Sequence, residues 1–424
     1  MRQKKILFIT SRVFPVPNAN AINSLKIIEE LRKRGHLVHC ISINQDELIE
    51  DGKYQFPIYS IKSTNYGYFL NKKKERKLRF QEKILFYLFL CMRKAKNILN
   101  IFHFPDVDPE QSKKAFKLAD KLNLKYEYDC VIGVFRPFTS ISAIIKMKKK
   151  YPSLVCGAYY LDLIHGANKP TMIPSKLYRN LCYRGELKNF KKIDFILMAK
   201  GGKEIYSQEK YSAIINKINY IDFPLFDTNL LDNLKINNSK NINVVYAGIL
   251  DKDYRNPSRF LETMYLLSKS FENLIIHIYG KGNCTDLLEK YQRLGLKIIN
   301  YGMVSQDKIR DAYSMADFLI NISNIEGNVV PSKIFELMST GKPIISFANN
   351  RKENVNYYLC KYPAVKIIFN SLSIEEQLNE LKKFIYEEKN KIYDINNLNN
   401  IFIENTPQFT TDIIESYLTK SKEF

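Results

Sequence analysis

Asn321 to Phe347, NISNIEGNVVPSKIFELMSTGKPIISF, is the stretch that decides the fold. Phe318 to Ser323 (FLINIS) leads into it as an apolar run ending in small polar residues, the pattern of a buried strand. Pro331 suits a first helical position, Ser332 to Met338 the helix, and Gly341 its C-terminal stop. Lys342-Pro343 then opens a second apolar strand, Ile344 to Phe347. A strand–loop–helix–strand unit puts its loop at the carboxyl edge of a parallel sheet, where α/β proteins bind ligands. Free amides at the helix start, from Val329 and Val330 through Ser332, favour an anion, and Lys333 adds a charge in the first turn. Glu336, one turn later, suits hydroxyl donors, and a phosphate plus a diol suggests a nucleotide. The plain alternative is an ordinary βαβ unit with a surface glutamate.

These residues resemble the donor-nucleotide signature of GT-B glycosyltransferases, especially the retaining family 4 type. In that family a Glu-Gly-x-x-x-Pro loop precedes a helix whose Glu binds the ribose, followed by Gly-x-Pro five and seven residues on. Glu326-Gly327 stands the matching distance before Pro331, and Glu336, Gly341 and Pro343 keep the downstream spacing. Between them the chain departs, with two extra residues separating Pro331 from Glu336. Counted back from Glu336, the family's spacing falls on Asn328, so either Glu326 or Asn328 takes the first-carboxylate role at the donor sugar.

The wider composition fits an enzyme of this size. The 424 residues suit two or three domains, with 45% hydrophobic and 26% charged residues as in globular proteins. Seven cysteines scattered without CxxC pairs point to a reduced, cytoplasmic protein with no zinc site. MRQKKILFIT, followed at once by turn residues, reads as a first strand and not as a signal peptide. A net charge of +21 calls for an acidic partner: a phosphorylated substrate, an anionic membrane surface or nucleic acid. No zinc finger, RNP-like motif or basic arm supports the last, and no nucleic-acid partner is expected.

Along the chain, strand Lys5–Thr10, helix Ala21–Arg34 and strand Leu37–Ile43 form a βαβ opening. It resembles the acceptor-side domain of GT-B enzymes, whose first loop often carries Gly-Gly; here Asn18-Ala19-Asn20-Ala21 offers Asn18 or Asn20 as polar contacts. Further strands follow at Cys130–Val134, with Arg136-Pro137 beyond its end, and at Leu154–Tyr160, which runs into Asp162 and His165. Ile193 to Met198 reads as the last strand of the first half. In related enzymes a first-domain His reaches over the donor sugar, and the resemblance assigns His165 that role. Asp162 then serves as its orienting partner or as an acceptor contact.

Residues 223–241 turn polar and Asn-rich, as a linker does. Beyond it, Gly248 and Leu250 match the family's Gly-Arg-Leu, with Ile249 in place of the Arg. Arg255 falls near the family's Lys, and Lys252 stands by; a guanidinium there suits two phosphate oxygens. Gly280-Lys281-Gly282 matches a third phosphate-side loop, with Ile298–Gly302 flanking the base. Asp251-Lys252-Asp253 has the form of a metal-binding DxD, but the resemblance implies basic residues instead, so neither metal nor cofactor is expected.

Residues 71–96 pair a basic run (Lys72, Lys73, Lys74, Arg76, Lys77, Arg79, Lys83) with nine apolar residues, Ile84 to Met92, then Arg93, Lys94 and Lys96. Nine is far short of the roughly 20 that span a bilayer. Such a segment can lie in the headgroup plane of an anionic membrane, or be a core helix preceded by a solvated charge run.

The resemblance implies an α/β protein of the GT-B fold, two Rossmann-like domains facing each other across a cleft. The acceptor-side domain is expected at 1–222 and the nucleotide-sugar domain at 242–407, with a C-terminal helix, 408–424, packing back on the first. It implies transfer from a nucleotide sugar, UDP-linked by preference, to a saccharide acceptor, lipid-linked, in surface polysaccharide assembly at the inner face of the cell membrane. A UDP-sugar epimerase of the same fold and a non-catalytic homologue are the alternatives.

Overall fold

The computed structural model describes residues 2–13, 19–46, 54–64, 68, 69, 72, 79–99, 104–106, 108–164, 174–227, 239–325 and 330–420, with backbone only at 93–99 and 420. The chain divides into two compact units, residues 1–224 with 404–424, and residues 225–403. The return to the first unit falls at Glu404, four residues ahead of the expected 408.

In the first unit the main elements are β1 (Lys5–Thr10), α1 (Ala19–Lys33), β2 (Leu37–Ile43), β3 (Ile58–Ile61), α2 (Phe80–Leu99), α3 (Pro109–Tyr126), β4 (Cys130–Val134), α4 (Phe138–Lys150), β5 (Val155–Tyr160), α5 (Ser175–Phe190), β6 (Phe195–Ala199) and β7 (Ile218–Ile221). The strands form one parallel sheet in the order β3-β2-β1-β4-β5-β6-β7. β1, β4 and β5 carry apolar side chains on both faces because helices cover both, as a parallel sheet requires. One face packs Leu7, Ile9 and Val131 against α4, while the other packs Ile6, Phe8 and Ile132 against Ile27 and Ile28 of α1.

In the second unit β8 (Ile242–Ala247), α6 (Ser258–Ser268), β9 (Leu274–Tyr279), α7 (Thr285–Arg293), β10 (Ile298–Gly302), α8 (Gln306–Met315), β11 (Phe318–Ile322), α9 (Lys333–Met338), β12 (Ile344–Ala348), α10 (Asn354–Leu359), β13 (Val365–Phe369), α11 (Ile374–Glu388) and α12 (Ile395–Ile401) follow. Their strands form a second parallel sheet, β10-β9-β8-β11-β12-β13. α13 (Pro407–Lys420) belongs to the first unit and buries Ile414 and Leu418 fully beside α1. Arg34 at the end of α1 ties this helix down, with Nη1 donating to Asp412 (2.5 Å) and Glu415 (2.7 Å). His36 accepts from the Lys4 amide on Nδ1, so its Nε2 is the protonated nitrogen and donates to Glu415 at 2.8 Å.

Two expectations need correction. Ile193–Met198 is not the last strand of the first half: β7 follows it, and β3 is a further edge strand. Pro331 and Ser332 lie ahead of α9, which begins at Lys333; the Ile334 and Phe335 amides turn back onto the Pro331 and Ser332 carbonyls (3.1 and 3.2 Å).

Candidate nucleotide-sugar site

The second sheet changes direction between β8 and β11, the two central strands, and polar groups gather at their carboxyl ends. Three loops after β8, β9 and β10 are laced side by side. The Gly248 amide donates to Tyr279 O (2.8 Å), Gly280 to Gly302 O (2.7 Å) and Leu250 to Lys281 O (3.2 Å). A Cβ at Gly280, where φ is +148°, would overlap the Gly248 carbonyl, and one at Gly282 would overlap that of Leu250. The Gly-x-Gly is therefore required first by this backbone lacing. Together Gly248, Gly280, Lys281, Gly282 and Asn300 line a small recess.

Beyond Leu250 the chain closes a tight turn, Asp251 and Arg255 exchanging backbone hydrogen bonds at 3.0 and 2.8 Å. The Asp251 carboxylate accepts the amides of Asp253 and Tyr254, both at 2.9 Å, so it serves its own turn. Lys252 places its ammonium on Asp286 (2.7 Å) at the start of α7. The turn carries Arg255 across to the end of β11, where Nε and Nη2 donate to Asn324 Oδ1 (3.0 and 2.7 Å). Burial raises the Tyr246 hydroxyl's pKa, and the neighbouring Arg255 guanidinium opposes part of that rise. One cation thus lies across both central strand ends.

At α9, Lys333 Nζ and Glu336 Oε1 are 2.9 Å apart, each side chain about one-third exposed, and the ammonium lies 5.3 Å from the centre of the Tyr313 ring. The two residues expected to take phosphate and ribose therefore hold each other. Burial, and the Glu336 carboxylate beside it, keep the Tyr313 hydroxyl protonated. Val330 is half-buried ahead of α9 and Ser332 exposed. Glu326, Asn328 and Val329 lie outside the described residues.

The first unit has its own polar cluster at the corresponding edge, where its sheet changes direction between β1 and β4. Asn20 at the start of α1 is buried and donates Nδ2 to Phe135 O (2.7 Å) and to Asp162 Oδ2 (2.9 Å). Arg136 Nε stands 3.9 Å from the same carboxylate oxygen. Asn20 therefore orients Asp162 from within the protein. The chain past β5 is held by the Tyr160 hydroxyl, which accepts the Ile164 amide (3.0 Å) and donates to the fully buried Glu186 (2.7 Å). Asn18 and His165 lie outside the described residues.

Sequence reasoning passed over Asn324 and gave Arg136 no role. Asn324 had one signal, a polar residue just past a buried strand; Arg136 had its place after β4.

Residues 241–368 match the Glycosyl transferases group 1 family. A search of curated proteins by sequence returns no match. In fold the chain is similar to the lipopolysaccharide outer core galactosyltransferase WaaB, at 14% identity and TM-score 0.54, covering 98% of this chain and 99% of that one. It is similar to a putative UDP-N-acetylglucosamine 2-epimerase from Listeria monocytogenes, at 11% identity and TM-score 0.54, covering 99% and 97%. Anabaena HepE, solved in complex with UDP-glucose, shows 12% identity and TM-score 0.51 over 99% and 100%. Residues 241–368 thus match the glycosyl transferases group 1 family, and with its two parallel Rossmann-like sheets the chain has the GT-B fold.

Proposed function

We propose that this enzyme transfers a glycosyl unit from a nucleotide sugar, UDP-linked by preference, to a saccharide acceptor, with retention of configuration and without a metal. The observation that carries the donor assignment is Arg255, whose guanidinium lies across the ends of β8 and β11 beside the glycine-laced loops. A cation fixed there meets the diphosphate and stabilises the nucleoside diphosphate as it leaves. Glu336 takes the ribose hydroxyls and releases Lys333 toward the phosphates. HepE, of the same fold, holds UDP-glucose, which supports trying UDP-sugars first. His165, with Glu326 or Asn328, is assigned to the transferred sugar on the family resemblance, and Asn18 and Asp162 to the acceptor side, with buried Asn20 holding Asp162 in place.

We read the acceptor as lipid-linked, for surface polysaccharide assembly at the inner face of the cell membrane. α2 exposes Phe80 (78%), Ile84 (53%), Leu88 (56%) and Met92 (64%), one apolar stripe at helical spacing. Among the described residues no helix is long and apolar enough to cross a membrane. A stripe of this kind, following a run rich in lysine and arginine, suits shallow insertion into an anionic surface.

A thermal-shift screen against UDP-, GDP-, ADP- and CMP-linked sugars tests the donor assignment, a UDP-sugar giving the largest stabilisation. No stabilisation by any of them refutes it. Conversion of a UDP-sugar to its epimer without an acceptor would instead establish the epimerase alternative.

A further inference from the structure

Arg255 is held by an uncharged partner, and that choice has a chemical consequence. Asn324 is 4% exposed and gives its Oδ1 to two N–H groups of the same guanidinium. It is itself fixed from two sides, Nδ2 donating to the Tyr254 hydroxyl (2.8 Å) and its backbone carbonyl accepting from Asn349 Nδ2 (3.0 Å). The Ile325 amide closes the arrangement on Tyr254 O at 2.9 Å. A carboxylate in this place would orient the guanidinium equally well but cancel its charge. An amide oxygen orients it and leaves the whole positive charge for another anion. The bound N–H groups are on Nε and Nη2, and Nη1 lies on the Gly248 side, 3.5 Å from where a side-chain carbon there would begin.

We propose that Asn324 is the positioning residue of the donor site, holding Arg255 so that Nη1 faces the loop after β8 before any ligand arrives. This rests on the reading of Arg255 as the diphosphate ligand. A long, rotamer-rich side chain loses conformational freedom when it clamps a phosphate, and a guanidinium already fixed avoids that loss. Asn324 touches no ligand in this scheme; its effect passes entirely through Arg255.

The test is a double-mutant cycle on the full chain by calorimetry. The probe is whichever of UDP, GDP, ADP and CDP gives the largest thermal shift, with its nucleoside as control. Asn324→Ala weakens diphosphate binding about tenfold, leaves the nucleoside unaffected, and adds nothing in an Arg255→Ala background. Tyr254→Phe, which removes only the hydroxyl that anchors Asn324, gives a smaller loss with the same coupling, and decides the matter if Asn324→Ala does not fold. The proposal is overturned if Asn324→Ala binds the diphosphate as the native chain does. It is equally overturned if its loss is additive with that of Arg255→Ala, or the same for nucleoside and diphosphate. If Arg255→Ala itself leaves diphosphate affinity unchanged, or none of the four probes binds, the donor-site reading fails instead.

Discussion

Glu336→Ala tests the proposed ribose contact separately from the proposed phosphate contacts. In the free protein the substitution removes one i,i+3 ion pair, Lys333–Glu336 at 2.9 Å with each side chain 29% exposed. Partly solvated pairs of this kind contribute at most about 1 kcal/mol. For a unit of this size that is a melting shift of about 2–4 °C at most. Binding should suffer more, because a carboxylate accepting from two ribose hydroxyls makes charge-assisted hydrogen bonds worth about 1.5–3 kcal/mol together. That loss corresponds to a Kd raised about 10- to 150-fold. The released Lys333 ammonium opposes part of it by becoming freer to meet phosphate, so the nucleoside should lose more than the nucleoside diphosphate does. Calorimetry of UDP and uridine against the native and Glu336→Ala proteins reads both numbers. Unchanged UDP affinity with the melting temperature intact would refute the ribose assignment. Equal losses on UDP and uridine would refute the part given to Lys333.

Arg255→Ala should show the converse pattern, with UDP weakened at least tenfold and uridine little changed. Gly280→Ala places a Cβ against the Gly248 carbonyl at a φ of +148°, so it should cost about 2–4 kcal/mol in stability and abolish donor binding; a wild-type melting curve would show the lacing to be dispensable. Arg34→Met should destabilise the first unit by about 2 kcal/mol, since Glu30 and Glu415 are mostly buried carboxylates that share its guanidinium. Burial alone would raise the Glu415 pKa, yet hydrogen bonds from His36 and Arg34 outweigh it and hold the carboxyl below the ordinary 4.5. Its contribution is therefore present above that pH and lost as pH falls through the lower native value; in Arg34→Met acid unfolding should begin at higher pH, as circular dichroism against pH can read. Vesicles containing anionic lipid should sediment the protein at low salt. Leu88→Ser with Met92→Ser, or glutamine at Lys73, Lys74, Arg76 and Lys77, should release it with nucleotide binding intact, and a native protein that ignores such vesicles refutes the membrane assignment.

What could be read in the sequence and what could not follow from where each signal is encoded. The central strands β1, β4, β8 and β11 are buried on both faces, so each appears as an unbroken apolar run. β3 and β7 lie at the two edges of the first sheet with most residues only half-buried. IYSI and INYI therefore lack such a run, and nothing local distinguishes them from loop. Lys342 illustrates the same limit within the opening motif. It is a charged residue in the sequence, yet only 2% exposed, because its ammonium caps the end of α8 by donating to Ser314 O and Ala316 O (2.7 and 2.6 Å). Those acceptors stand 26 and 28 residues away, and no spacing rule connects them to it.

The candidate site divides along the same line. Glu336, Gly341 and Pro343 are legible because one helix and the turn after it fix their separations, so spacing in sequence is spacing in space. Lys333 and Glu336 are neighbours on one helix face for the same reason, and that spacing lets them pair with each other. Arg255 and Asn324 are 69 residues apart, and Asn20 and Asp162 are 142 apart. Each pair meets only because parallel strands bring their carboxyl ends to one edge of a sheet, beside the point where the strand order reverses. A family pattern records the residues that touch the ligand and is silent on those that aim them. Asn20 and Asn324 show what that omission costs: in both units a buried asparagine turns the charged group beside it, and an amide can do so without neutralising either a carboxylate or a guanidinium.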